Sequence, residues 1–169
     1  MLPFLIKSLQ NAERVLNSKL LETNVSIIIK EPQTTQEFEA YYLLRYEVLR
    51  KPWNQPVGSE KDNFEDSSVH IMACDQNNNI LGVCRLQYNS PSEAQLRFMG
   101  VRENTQGLGI GKLLIAYAEE KAKQQGATKM ILQAREIAVD FYKKCGYQIV
   151  EKSFLMWNEI QHYLMEKPL

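Results

Sequence analysis

Glycine occupies every second position of Gln106-Gly107-Leu108-Gly109-Ile110-Gly111, between two segments of opposite periodicity. Before it, Ala94 to Val101 is an apolar-rich run that reads as a strand. After it, Gly109 to Gln125 is helical in pattern, with Ile110, Leu113, Leu114, Tyr117 and Ala118 inward, Glu119 four residues ahead of Lys123, and Gly126 as the stop. A strand must therefore turn into a helix over a few residues of nearly bare backbone. Successive N–H groups can converge on an anion where side chains are absent, and the helix start adds unpaired donors and partial positive charge. Phosphate is the natural guest. A dinucleotide loop needs G-x-G-x-x-G, but Lys112 holds the final place; a P-loop needs glycine and a hydroxyl residue where Gln106 and Leu113 stand. Both fingerprints are excluded.

The rest of the chain supplies the frame for this junction. Val25 to Lys30 is a β-branched run closed by Pro32, and Thr34 or Thr35 can cap a helix carrying Phe38, Tyr41, Tyr42, Leu44, Val48 and Leu49. Lys51 to Ser68 has neither period; with Pro52, Pro56, Gly58 and Trp53 it reads as a long irregular segment, a kind that is often functional. Val69 to Asp75 and Ile80 to Tyr88, joined by an Asn-rich turn, form an antiparallel meander with Ala94 to Val101. Lys129 to Ala134 is a strand, Ile137 to Lys144 a helix ended by Gly146, Tyr147 to Lys152 a strand, and His162 to Lys167 the strand that closes the sheet. On the short helix, Ile137, Ala138, Phe141 and Cys145 make the buried stripe and Tyr142 flanks it. This order implies a mixed sheet with helices on its faces.

Lys+Arg and Asp+Glu balance at 20 each, so no bulk field marks the chain for nucleic acid or membrane, and a small molecule or protein is the expected partner. Its 169 residues suit one domain, 25–169, preceded by an extension, 1–24. Leu2, Leu5, Ile6, Leu9, Ala12, Leu16 and Leu20 form the stripe of an amphipathic helix there. It lacks the Lys/Arg-rich face of a membrane-surface helix, which leaves packing on the domain or on a second subunit in a homodimer. Cys74, Cys84 and Cys145 have no C-x-x-C spacing; a hairpin centred on the Asn-rich turn sets Cys74 near Leu81 instead of Cys84, so free thiols, no metal site and a cytoplasmic location are expected.

The segment Gln106 to Gly111 resembles the Q/R-x-x-G-x-G/A motif of the GNAT superfamily of N-acetyltransferases. The likeness extends from about Val25 to Lys167, through Phe98-Met99-Gly100-Val101, Phe141-Tyr142-Lys143-Lys144-Cys145-Gly146-Tyr147 and Gln161-His162-Tyr163-Leu164-Met165. It implies a GNAT-like α/β fold, a mixed and mostly antiparallel sheet of six to seven strands flanked by helices. It also implies acetyl-CoA as cosubstrate, with no metal, and a primary amine of a small molecule or peptide as acceptor. The pyrophosphate would meet Gln106, Gly107, Leu108, Gly109, Ile110, Gly111 and Lys112. The pantetheine would lie along Phe98, Met99, Gly100 and Val101, whose edge the family frees by a bulge and a splay from Lys129 to Ala134. A backbone N–H near Phe98 or Met99 could stabilise the oxyanion.

In such a scheme Tyr142 takes the place of the general acid. A phenol with a reference pKa of about 10 stays protonated at neutral pH and can supply the departing thiolate, whose own value is near 8.5. For the base that deprotonates the amine, Glu60, Asp62, Glu65, His70 and His162 all remain open, as does a water chain. Glu60, Asp62, Glu65 and Asp66 could also draw a cationic amine by their local field. A non-catalytic CoA-binding sensor or interaction module on the same fold is the alternative function.

Overall fold

The computed structural model describes residues 26–169, and the expected N-terminal amphipathic helix lies outside them. The elements are β1 (Ile28–Lys30), α1 (Thr35–Leu49), β2 (Val69–Cys74), β3 (Ile80–Ser90), β4 (Glu93–Val101), α2 (Ile110–Gln124), β5 (Lys129–Arg135), α3 (Val139–Lys144), β6 (Gln148–Met156) and β7 (Ile160–Pro168). Their order confirms the mixed sheet: seven strands run β1-β2-β3-β4-β5-β7-β6, with β4–β5 the parallel pair and the others antiparallel. β7 does not close the sheet as expected. It lies between β5 and β6, and the outer strand is β6, which runs on to Met156.

Local chemistry explains the boundaries. Thr34 caps α1 through a reciprocal box, its hydroxyl accepting from the Glu37 N–H at 3.2 Å while the Glu37 carboxylate accepts from the Thr34 N–H at 3.3 Å. β6 and β7 meet in a three-residue turn, 157–159, with positive φ at both Trp157 and Asn158 and the Glu159 N–H donating to the Met156 carbonyl at 3.0 Å. Cys74 pairs with Ile80 and Cys84 with Ile71, so the hairpin register separates the cysteines, and all three thiols are free.

Alternation along β2 divides the core. Ile71 and Ala73 join the cluster under α2 and α3, whereas Met72 and Cys74 join Tyr41 and Leu44 of α1 on the opposite face. Each fully buried aliphatic side chain, such as Leu114 or Ile71, contributes about 1.5–3 kcal/mol.

Helix faces differ from expectation in two places. On α2 the buried face is Ile110, Leu114, Ile115, Ala118, Glu119 and Ala122, while Leu113 is exposed. The face leans toward Glu119 because that carboxylate turns inward, accepting from the Tyr147 hydroxyl at 3.0 Å and from the Lys167 ammonium at 2.9 and 2.7 Å instead of pairing with Lys123. Near α3, residues Glu136–Ala138 form a 3₁₀ turn, which lifts Ile137 to 89 % exposure. Val139 and Tyr142 become the buried face, with Phe141 and Cys145 only half-buried, so Tyr142 belongs to the core side and does not flank it.

Candidate active site

β4 pairs with β5 only from Glu93 to Leu96, opposite Lys129 to Leu132; beyond that point the two strands part. On its other side β4 stays joined to β3 as far as Val101, but with an extra residue, since Val83 faces Gly100 and Arg85 faces Arg97. Phe98 sits in this bulge at φ 51°, a backbone that bulky residues rarely adopt. The splay opens a cleft of about 500 Å³ between Arg97–Val101 on one wall and Leu132, Gln133 and Arg135 on the other. Five of the expected ligand-contacting residues, Phe98, Met99, Gly100, Val101 and Gln106, line it together with Tyr142. Residues 107–112 continue from its Gln106 end and are not part of the lining.

The glycines of that loop have different physical reasons. Gly107 and Gly109 have φ of 86° and 80°, and a methyl group on either would stand in open space, so backbone conformation alone requires glycine there. Gly111 is a close-approach residue: a Cβ would stand 2.9 Å from the Phe141 ring and 3.0 Å from Met99 Cε. Gly109 is the N-cap of α2 without any side-chain cap, and no acidic residue occupies the first turn. The N–H groups of Ile110, Gly111 and Lys112 are thereby left as donors at a helix start. Ile110 can offer only this backbone group, because its side chain is in the core.

Tyr142 reaches the cleft from α3. Its hydroxyl has one hydrogen-bond partner among the described residues, the Met99 sulfur at 3.6 Å, and burial raises its pKa above the ordinary phenol value despite the opposing charge of Arg135. Of the five candidate bases, His162 alone lines the cleft. Its ring stacks on Phe154 at 4.5 Å and its Nδ1 lies 3.0 Å from the Ile160 carbonyl, so Nδ1–H donates and Nε2 carries the lone pair. Burial lowers its pKa, which keeps the imidazole neutral. His70 lies outside the cleft lining, with Nε2 on the Glu65 carbonyl at 2.9 Å. The Glu60 carboxylate accepts from the Gly58 N–H at 2.7 Å.

Residues 34–147 match the Acetyltransferase (GNAT) family. The chain belongs to that family. The uncharacterized N-acetyltransferase YjcF of Bacillus subtilis (strain 168) is 34 % identical over 129 residues, which cover 76 % of this chain and 90 % of YjcF. Among solved structures, an aminoglycoside 6'-N-acetyltransferase complexed with coenzyme A superposes with a TM-score of 0.71 at 18 % identity, covering 83 % of this chain and 96 % of that one. An acyl-CoA N-acyltransferase from Pseudomonas aeruginosa gives a TM-score of 0.70 at 22 % identity, covering 85 % and 99 %. Both share the fold. The protein is thus a GNAT acyltransferase that uses acetyl-CoA.

This GNAT fold also holds a cluster that sequence pattern alone does not reveal. Arg45 and Arg85 are fully buried; Glu65 accepts from both Arg45 Nη atoms at 3.0 and 2.8 Å and from Arg85 Nη1 at 2.6 Å, and Asp62 accepts from Arg85 at 2.5 and 3.0 Å. Burial favours protonation of these two carboxyls, but the arginine hydrogen bonds and charges hold both below the ordinary carboxylate range. The acidic segment is therefore not a free field for a cationic amine, because Asp62 and Glu65 are committed to internal arginines. Four guanidinium carbons surround the Phe98 ring, at 3.4 Å for Arg45, 4.8 Å for Arg85, 5.2 Å for Arg97 and 5.4 Å for Arg50. One signal was available: Arg85 and Arg97 interrupt apolar strand runs, where a charge must be paired or functional. Among the described residues no group of three or more His, Cys, Asp or Glu could hold a metal ion, and no helix is long and apolar enough to cross a membrane.

Proposed function

We propose that the enzyme transfers the acetyl group of acetyl-CoA to a primary amine of a small molecule or peptide by direct attack. The observation that carries this reading is the β4 edge from Arg97 to Val101, freed from β5, which runs past the Tyr142 phenol and ends where the glycine loop begins. The pantetheine amides pair with main-chain groups of Phe98 to Val101, and the pyrophosphate sits on the N–H groups between Gly107 and Lys112, with Gln106 at the junction.

The amine lone pair attacks the thioester carbonyl carbon, so that a C–N bond forms and the C–S bond breaks. The backbone N–H of Phe98 or Met99 is suited to the transient oxyanion. Tyr142 gives its proton to the departing sulfur, and neutral His162 takes the proton of the amine through Nε2. With three free thiols, we assign the enzyme to a reducing compartment, the cytoplasm.

Thiol release measured across a panel of amines, beside calorimetry of CoA binding, tests the proposal. Turnover with amines supports it. Tight CoA binding with no release for any amine, peptide or antibiotic assigns the protein instead to a sensor or interaction role.

A further inference from the structure

The cleft is lined by Arg50, Arg97 and Arg135 and by no Asp or Glu. None of these three arginines has a carboxylate within ion-pair distance among the described residues, in contrast to Arg45 and Arg85. Arg50 donates only to the backbone carbonyls of Ser59 at 2.9 Å and Leu49 at 3.1 Å, and Arg135 only to that of Leu49 at 3.3 Å. Arg97 makes no side-chain hydrogen bond within the described residues. Each is half-buried, and burial works against its charge. Glu60 acts on Arg50 from a distance without forming an ion pair. Five guanidiniums thus face three carboxylates, two of them already bonded to Arg45 and Arg85, and the surplus positive charge points into the cleft.

A second anion site at the glycine loop does not account for this surplus. Arg97 opens the splayed stretch, four residues or roughly 13 Å of strand before Val101 and the loop that follows. Arg50 and Arg97 approach the same ring, Phe98, at 5.4 and 5.2 Å from its centroid, and both line the cleft. Gln133, on the opposite wall, keeps its side-chain oxygen buried without a donor among the described residues.

We propose that the acceptor is an amine that also carries an anionic group, a carboxylate or a phosphate, held by Arg50 and Arg97 with Arg135 beside them. The proposal rests on the acetyl-transfer reading for what occupies the cleft. Guanidinium forks match the two oxygens of a carboxylate or phosphate. The same positive field disfavours a polyamine and favours the neutral form of the acceptor nitrogen, the form that can attack.

Matched acceptors test this. Thiol release is measured for L-α-amino acids against their α-amides, for 2-aminoethyl phosphate against ethanolamine, and for spermidine. Separately, calorimetry compares N-acetylglycine with N-acetylglycinamide on the CoA-bound enzyme. The anionic member of at least one pair is expected to be preferred about 10- to 100-fold in kcat/KM. The preference should collapse in Arg97→Gln and Arg50→Gln through KM, recover in part in Arg97→Lys, and leave CoA affinity unchanged, with a lowered melting midpoint expected only in Arg50→Gln, which loses the bonds to Ser59 and Leu49. The amino-acid and phosphate arms identify the anion. Equal use of charged and neutral acceptors, a preference that survives both substitutions, or a loss of CoA affinity in its place overturns the proposal. If no amine turns over, tighter binding of N-acetylglycine than of its amide sustains the anion subsite while the transfer reading fails; equal or undetectable binding of the two rejects the subsite as well.

Discussion

Replacing Glu65 by glutamine keeps its shape and removes its charge. Arg45 is fully buried and Glu65 is its sole ion-pair partner among the described residues, whereas Arg85 keeps Asp62. Glu65→Gln therefore leaves one guanidinium buried without a counter-charge, a change that costs about 3–5 kcal/mol. The glutamine oxygen retains one acceptor, which favours the lower end, about 3 kcal/mol. At about 2–4 °C per kcal/mol for a chain of this size, the melting midpoint should fall by about 6–12 °C. Asp62→Asn is the internal comparison: its side chain is 28 % exposed and Arg85 keeps Glu65, so a loss of about 1 kcal/mol is expected. Because both carboxyls are held below the ordinary range, their stabilisation is complete above a pH of about 4 and is lost as pH falls through the lowered folded values. Scanning calorimetry from neutral to acid pH should show a steeper acid loss in the parent than in Glu65→Gln. A midpoint change below about 2 °C, or equal losses for the two substitutions, would refute the reasoning.

Tyr142→Phe should lower kcat by about 100-fold or more with CoA affinity retained, read by thiol release and calorimetry; unchanged turnover removes the phenol from the mechanism. Gly111→Ala drives a methyl into the Phe141 ring and should cost about 1–3 kcal/mol in urea unfolding, part of it recovered in a double variant with Phe141→Leu. If His162 is the base, kcat/KM should fall on acidification with an inflection below the ordinary histidine value of about 6.5, because burial, with Arg135 adding to it, lowers its pKa. His162→Asn should abolish that acid limb, and a limb that persists assigns the base elsewhere.

Features written in short-range chemistry are legible in the sequence itself. The Thr34 cap, the meander around the Asn-rich turn, and the glycine loop at a strand-to-helix junction each depend on a few adjacent residues. What escapes depends on partners far along the chain. Glu119 turns inward because Tyr147 and Lys167 meet it, and a helical pattern carries no trace of either. Trp157 at positive φ gives no turn signal, since a large aromatic there is held by its hairpin and not by its own preference. The arginine cluster joins Arg45, Glu65, Arg85 and Arg97 from four separate segments, so Glu65 by itself reads as a solvated loop charge.

Those same residues bear on the donor half of the site. A left-handed backbone at Phe98 costs about 1–2 kcal/mol, and the β4 bulge exists only while that cost is met. The Phe98 ring stacks against the Arg45 guanidinium at 3.4 Å, and a desolvated cation–π contact contributes about 2 kcal/mol, enough to offset the strain. Arg45 can lie buried under the ring only because Glu65 neutralises it. The dependence therefore runs from Glu65 to Arg45 to Phe98 to the bulge beside the free edge between Arg97 and Val101. A carboxylate outside the cleft lining, in a segment without regular structure, thus supports the free β4 edge on which we propose the thioester arm lies, while its commitment to Arg45 on α1 and Arg85 on β3 leaves Arg97 and Arg50 without a carboxylate partner among the described residues.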